Sequence, residues 1–365
     1  MLKPSLNFTN IIFIFLLSTG LFGHVEIIPV ILSTAGKQSW ISILLAVIPL
    51  FFVIFIIGSI NSDLPKKPLL QLLNEQSSSW QYYLLLMPIA LYLVISAFIT
   101  CKEIIYWSQL SYMQGFNAFV IGLALLVVCW FCAEAGFIKI GIISAILCPI
   151  VIFLGFFVSF ANTKKKNFEL LLPLVVEDIG PIGKAAVYTA MPILELILLL
   201  FFVSHLKTKL TRKKVFFLGI LLIGLILGPT IAGIAEFGPK QAASFRYPAY
   251  EQWRIITVGR YFSHTDFFAI YQWLSGAVIR ISVFILLAAQ MINKGKVSFK
   301  FIRSIFLLVF IVTIIKIDQN IFYTFVYEFY LPIACFFLTF QCLLLWLYVL
   351  NKKKKWKGAN LEYEE

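Results

Sequence analysis

The sequence predicts an all-α membrane protein of about ten transmembrane helices, and three observations carry that reading. Hydrophobic residues make up 61% of the 365 and charged residues only 13%, where a soluble domain carries about 25% charged. Mean hydropathy is +0.94, which leaves no room for a soluble domain of ordinary size. Apolar runs recur along the chain at the length of about 20 residues that one bilayer crossing needs. A membrane barrel would instead show alternating segments of about ten residues.

The runs lie at 8–34, 39–60, 80–107, 115–133 and 138–160, then at 181–205, 213–234, 267–291, 301–317 and 321–350. The first follows Lys3, has no small-residue cleavage site and is succeeded by more apolar runs, so it reads as an uncleaved helix rather than a signal peptide. Pro65 to Gln76, with Leu69, Leu70, Leu72 and Leu73, is too short to span and reads as an interfacial helix. The remaining long connection, 235–266, holds Phe245-Arg246-Tyr247-Pro248 and Trp253-Arg254. Aromatics beside arginines fit either a membrane-surface anchor or a docking surface for another subunit formed by Tyr247, Trp253 and Arg254.

Orientation follows from the basic clusters. Lys207 to Lys214, Lys294 to Arg303 and Lys352 to Lys357 fall on one side when the N-terminus is cytoplasmic, so both termini are expected there. The net charge of +13 is thus a topology signal, and nucleic acid is not an expected partner; membrane lipid is. The organisation expected is a single transmembrane domain, 1–350, with repeat one at about 8–160 and repeat two at about 181–350, followed by a cytoplasmic tail, 351–365.

Two runs are interrupted, each the first of its half. Ser18-Thr19-Gly20-Leu21-Phe22-Gly23-His24 precedes Glu26 and Pro29, and Thr189-Ala190-Met191-Pro192 precedes Glu195. Interrupted helices at matching positions of two halves point to the central site of a five-plus-five inverted-repeat transporter-like fold. There, backbone groups freed by an unwound turn are satisfied by a ligand, an ion or water. On this reading Thr19, Gly20, Gly23, Thr189, Ala190 and Met191 line a midplane ligand pocket. A proline kink or a close-packing glycine is the plainer alternative for each break taken singly.

Intramembrane charges are the second signal, because burying them is costly. Glu195 and Arg280 lie near the middle of their runs and pair if their helices are neighbours, while Glu26 and Glu328 lie closer to run ends, where they can snorkel. Gly224-x-x-x-Gly228 reads as a helix-packing face. His24, His205 and His264 are scattered and the six cysteines sit inside apolar runs, where they read as membrane-core residues, so no metal or cofactor is expected. The phosphate-binding, dinucleotide-binding, metalloprotease and nucleophile-elbow motifs are absent, and the chain is not read as an enzyme.

In order along the chain stand Ala35-Gly36-Lys37-Gln38-Ser39-Trp40-Ile41-Ser42, Pro68-Leu69-Leu70-Gln71-Leu72-Leu73, Phe168-Glu169-Leu170-Leu171-Leu172-Pro173 and Gly180-Pro181-Ile182-Gly183-Lys184-Ala185. Tyr247-Pro248-Ala249-Tyr250, Arg254-Ile255-Ile256, Asp266 and Trp273 follow. With these patterns the sequence resembles the B subunit of endospore germinant receptors, the spore germination permease family within the amino acid-polyamine-organocation transporter superfamily. It departs from the family pattern at Gln38-Ser39, Leu194 and Ser263-His264. The resemblance implies a membrane subunit, in the spore inner membrane, that senses a small germinant such as an amino acid, sugar or nucleoside. It also implies an A subunit and a lipoprotein C subunit as partners. A secondary transporter of similar solutes is the alternative, since fold alone does not decide between sensing and transport.

Overall fold

The computed structural model describes residues 6–63, 67–172, 178–257 and 265–361. Lys3, Lys66, Pro173, His264 and the last four residues of the expected tail lie outside them. The described chain is helical: α1 (Phe8–Phe22), α2 (Ile28–Ala35), α3 (Ser39–Leu44), α4 (Val47–Asp63), α5 (Leu69–Gln76), α6 (Ser79–Ser111), α7 (Ala118–Ala161) and α8 (Gly180–Leu194) come first. They are followed by α9 (Arg212–Phe237), α10 (Pro239–Ser244), α11 (Pro248–Arg254), α12 (Phe267–Ile292), α13 (Phe299–Ile314), α14 (Gln319–Thr324) and α15 (Leu331–Leu361).

Seven stretches among the described residues are long and apolar enough to cross a membrane. Two of them are long enough for two crossings of about 20 residues each: Phe8–Ser62 has 55 residues and Ala118–Ala161 has 44. Both bend at a glycine with positive φ. Gly36, at φ 52°, separates α2 from α3, and Gly136, at φ 83°, breaks α7 near its middle. A side chain is strained in that region of backbone space, so these two glycines turn the chain where the apolar run continues. A short helix, α5, stands where the interfacial helix is expected, and it buries all four of its leucines.

Burial sorts the helices into core and periphery. The apolar window of α8 with its continuation to Phe201 is 83% buried, and so is that of α12; in α7 the figure is 28%. The outer faces of α7 and α15 carry exposed Phe131, Phe153, Phe156, Phe160, Phe336 and Phe340, as lipid contact requires. α12 packs chiefly on α6, α7 and α1. One backbone tie joins the two interrupted helices at their ends: Leu6 N–H donates to His205 O at 3.0 Å and Lys207 N–H to Leu6 O at 3.0 Å.

The Gly224 and Gly228 pair of α9 does not form the expected packing face. A Cβ at Gly224 or Gly228 would meet nothing within 4 Å. It is Gly219 that packs closely, where an added Cβ would stand 2.2 Å from Leu50 Cδ1.

Candidate ligand site

At both interruptions the backbone changes helix type rather than unwinding. After Phe22 the chain widens into a π-helical turn, Gly23–Ile27, and resumes as α2 with Pro29 in its first turn. In α8, Pro192 has no N–H to give to the preceding turn. Three residues later the helix tightens into a 3-10 run, Glu195–Phe201. Seven residues is long for a 3-10 helix, and such runs and π-turns both recur at functional hinges.

Glu195, the first residue of the 3-10 run, meets Arg280 of α12. Arg280 donates from Nη2 to Glu195 Oε1 at 2.6 Å and from Nη1 to Oε2 at 2.9 Å. Thr19 Oγ1 donates to Oε2 at 2.7 Å, and Tyr92 OH donates to Oε1. A carboxylate has about four acceptor positions, so Glu195 is fully satisfied by residues of α1, α6 and α12. The glutamate is 0% exposed and the arginine 1%. The guanidinium is also held by Ser18 O at 3.3 Å and lies 4.5 Å from the Phe22 ring centroid and 4.3 Å from that of Phe284. Tyr92 stacks on Tyr330, whose hydroxyl meets Ser96 Oγ at 2.6 Å.

A second pair, with its carboxylate buried and its arginine partly exposed, lies toward the loop between α10 and α11. Arg246 Nη2 donates to Glu103 Oε1 at 2.6 Å. Tyr247 OH donates to Glu103 Oε2 at 3.2 Å and meets Tyr323 OH at 2.9 Å. The Arg246 guanidinium covers the Tyr323 ring at 3.2 Å from its centroid, with Tyr327 at 4.8 Å. Burial and the neighbouring Glu103 carboxylate together push the Tyr247 hydroxyl well above the ordinary tyrosine range, so it is a donor at every physiological pH. Glu26, on the π-turn, is 4% exposed, and its electrostatic neighbours are Glu103, Arg280, Arg246 and Glu195. It therefore does not snorkel: the π-turn holds it in the interior, where the charges of both pairs act on it. Glu328 does reach the surface and pairs with Lys184 at 3.1 Å.

The six residues expected to line one pocket are distributed. Thr19 joins the Glu195 cluster. An added Cβ at Gly20 would stand 2.5 Å from Leu225 Cδ2, and one at Gly23 would stand 2.8 Å from Ile226 Cγ1 and 3.9 Å from Pro192. Both glycines thus let α1 approach α9, and Gly23 also places the π-turn against the proline of α8. Thr189 Oγ1 donates to Ser42 O at 3.2 Å, Met191 is fully buried and Ala190 is partly buried.

Of the three residues expected at a partner interface, Tyr247 and Trp253 face inward. They are 7% and 3% exposed, and Trp253 Nε1 donates to Gln272 Oε1 at 3.0 Å. Both are amphipathic rings with a partner for their polar atom inside the chain, which accounts for the inward turn. Arg254 alone is exposed, at 57% of its side chain, beside Glu251 at 3.0 Å. Sequence reasoning missed Tyr92 and Glu103. The signal for Glu103 was present, a Lys102-Glu103 pair inside an apolar run; Tyr92 has no sequence signature. Among the described residues no group of three or more His, Cys, Asp or Glu is placed to hold a metal, and the cysteines found there are unbonded thiols.

Comparison with known proteins gives a consistent picture. The family model described as spore germination protein, the spore permease family, matches residues 4–322. Spore germination protein XB of Bacillus anthracis is 35% identical over 355 residues, which cover 96% of this chain and 99% of that protein.

Proposed function

The chain belongs to the spore germination permease family, and from that premise we propose that it is a germinant-sensing membrane subunit of a spore germination receptor. It binds a small solute, such as an amino acid, sugar or nucleoside, near the membrane midplane and passes a change of shape to an A subunit and a C lipoprotein subunit. On this reading it lies in the spore inner membrane as ten crossings in two inverted halves, with both termini on the core side. Thr19, Gly20 and Gly23 with Thr189, Ala190 and Met191 surround the ligand-responsive region.

The observation that carries the reading is the Glu195–Arg280 cluster at the two changes of helix type. Its carboxylate has no acceptor position left for a solute, so a ligand acts there by rearranging the pair rather than by adding to it. Two packings of a helix turn with different ligand affinity are all that a sensor needs.

Secondary transport is the second reading, favoured by Glu26. A buried carboxyl near two arginine–carboxylate pairs is a group that can take up and release a coupling proton in each cycle. Purified protein in liposomes separates the two. Saturable ligand binding without accumulation of labelled solute supports the sensor, whereas accumulation driven by a proton or sodium gradient, and lost in Glu26→Gln, supports transport.

A further inference from the structure

A cavity of about 450 Å³ lies between α1, α7, α9, α11 and α12, and none of Thr19, Tyr92, Glu195 and Arg280 lines it. Most of its wall is hydrocarbon, including Leu17, Val151, Ile220 and Leu225. Glycines hold it open. Gly224 and Gly228 present bare backbone to it with nothing within 4 Å of an added Cβ, and the nearest atom at Gly155 is Gln272 Nε2 at 4.0 Å.

At the end under α11 the cavity meets Glu236, whose side chain is 1% exposed. Neither carboxylate oxygen has a hydrogen-bond partner among the described residues. Lys166 Nζ forms an ion pair with it at 3.8 Å, which offsets part of its charge but is too long for a hydrogen bond; the ammonium donates instead to Ser159 O at 2.8 Å and Ser159 Oγ at 3.1 Å. The other polar side chains at this end are engaged. Gln252 donates to Pro229 O at 2.9 Å, Gln272 donates to Val151 O at 3.1 Å, and Trp253 donates to Gln272. What is left is an acceptor-only group at the head of an apolar chamber, and a buried carboxylate in need of donors is costly unless one is supplied.

We propose that this cavity binds an apolar molecule ending in a protonated amine, with the ammonium on Glu236 and the hydrocarbon part along Gly224 and Gly228. The size lies in the range of small-molecule sites. Gly20 is the one residue of the ligand region assigned above that also lines the cavity, and the proposal stands whether that region senses or transports.

The test compares octylamine, octanol and octanoate on the full chain in lipid nanodiscs, read by thermal shift and by quenching of Trp253 and Trp273, with empty nanodiscs as the partition control. Octylamine should bind about tenfold more tightly than octanol, the worth of one charge-assisted hydrogen bond, and octanoate more weakly still. Glu236→Gln should bring the amine down to the level of the alcohol, and Gly228→Leu should abolish both. If Gly228→Leu does not accumulate, Gly224→Leu fills the same chamber one turn away. Equal binding of octylamine and octanol to the wild type marks an acyl-chain slot and overturns the proposal, as does an amine preference that survives in Glu236→Gln.

Discussion

Glu195 and Arg280, 85 positions apart in sequence, meet through two parallel hydrogen bonds in a place where neither is more than 1% exposed. Removing one partner leaves the other as a lone buried charge, which costs about 3–5 kcal/mol, whereas removing both does not. Glu195→Gln and Arg280→Gln should each lower the thermal midpoint and membrane abundance. The double variant should recover a substantial part of the loss. Strictly additive losses in melting temperature would show that the pair is energetically uncoupled.

Tyr92 contributes a single donor to the same carboxylate. Tyr92→Phe keeps the ring stacked on Tyr330 and removes only the hydroxyl, so the expected loss is about 1–3 kcal/mol. Because Glu195 keeps Arg280 and Thr19, the variant should fold, and the change should appear in ligand affinity or germinant dose–response rather than in abundance. A dose–response and melting curve superimposable on wild type would remove Tyr92 from the cluster's function.

Glycine at position 23 has two possible reasons, contact with α9 or the width of the π-turn, and a double substitution separates them. The Cβ of Gly23→Ala would stand 2.8 Å from Ile226 Cγ1 and 2.9 Å from Ile226 Cδ1, so the single variant should be destabilised by about 1–3 kcal/mol through overpacking. Ile226→Ala removes both clashing atoms. Restored melting temperature and restored response together mean that packing is the whole reason, while restored stability without response places Gly23 in the ligand-responsive turn.

Arg246 closes the second pair, and its test is local opening rather than global melting. The guanidinium both bonds Glu103 and covers the Tyr323 ring, and lysine offers the charge without the planar face. Arg246→Lys should therefore increase hydrogen exchange in α10 and α11 by at least severalfold while α12 stays protected. Unchanged exchange in residues 239–254 would mean that the pair does not hold this segment down.

How much of this was legible in the sequence depended on whether the signal was periodic or spatial. The apolar runs placed the long helices, because a bilayer demands length and apolarity in a row, and α5 was marked by four leucines too few to span. Glu195 and Arg280 stood out because charge in an apolar run is rare. Their partners are ordinary residues in membrane helices: Thr19 was marked only by the interruption it precedes and Tyr92 not at all, and the approach of α1, α6, α8 and α12 is what joins them to the pair. The interruptions were visible as Gly and Pro, yet composition does not tell unwinding from a π-turn or a 3-10 turn. Gly224 and Gly228 failed in the same way, since their spacing is identical whether a helix or a cavity faces them.

Contact with companion subunits is best tested at Arg254. Trp253→Ala would remove a 3% exposed indole and its hydrogen bond to Gln272. A large buried aromatic cut to alanine costs about 3–5 kcal/mol, so loss of companions in that variant would report unfolding as readily as lost docking. Arg254 projects from α11 with 57% of its side chain exposed, and the Glu251 carboxylate beside it raises its pKa above the ordinary arginine value, so it stays charged at any working pH. An exposed pair of this kind contributes under about 1 kcal/mol to stability. Arg254→Glu should thus leave the melting temperature within about two degrees of wild type while reversing the charge offered to a partner. If α11 docks an A or C subunit, co-purification should fall severalfold, and a charge-swapped acidic residue on the partner should restore it. Wild-type recovery of both companions with Arg254→Glu would place the docking surface elsewhere on the chain.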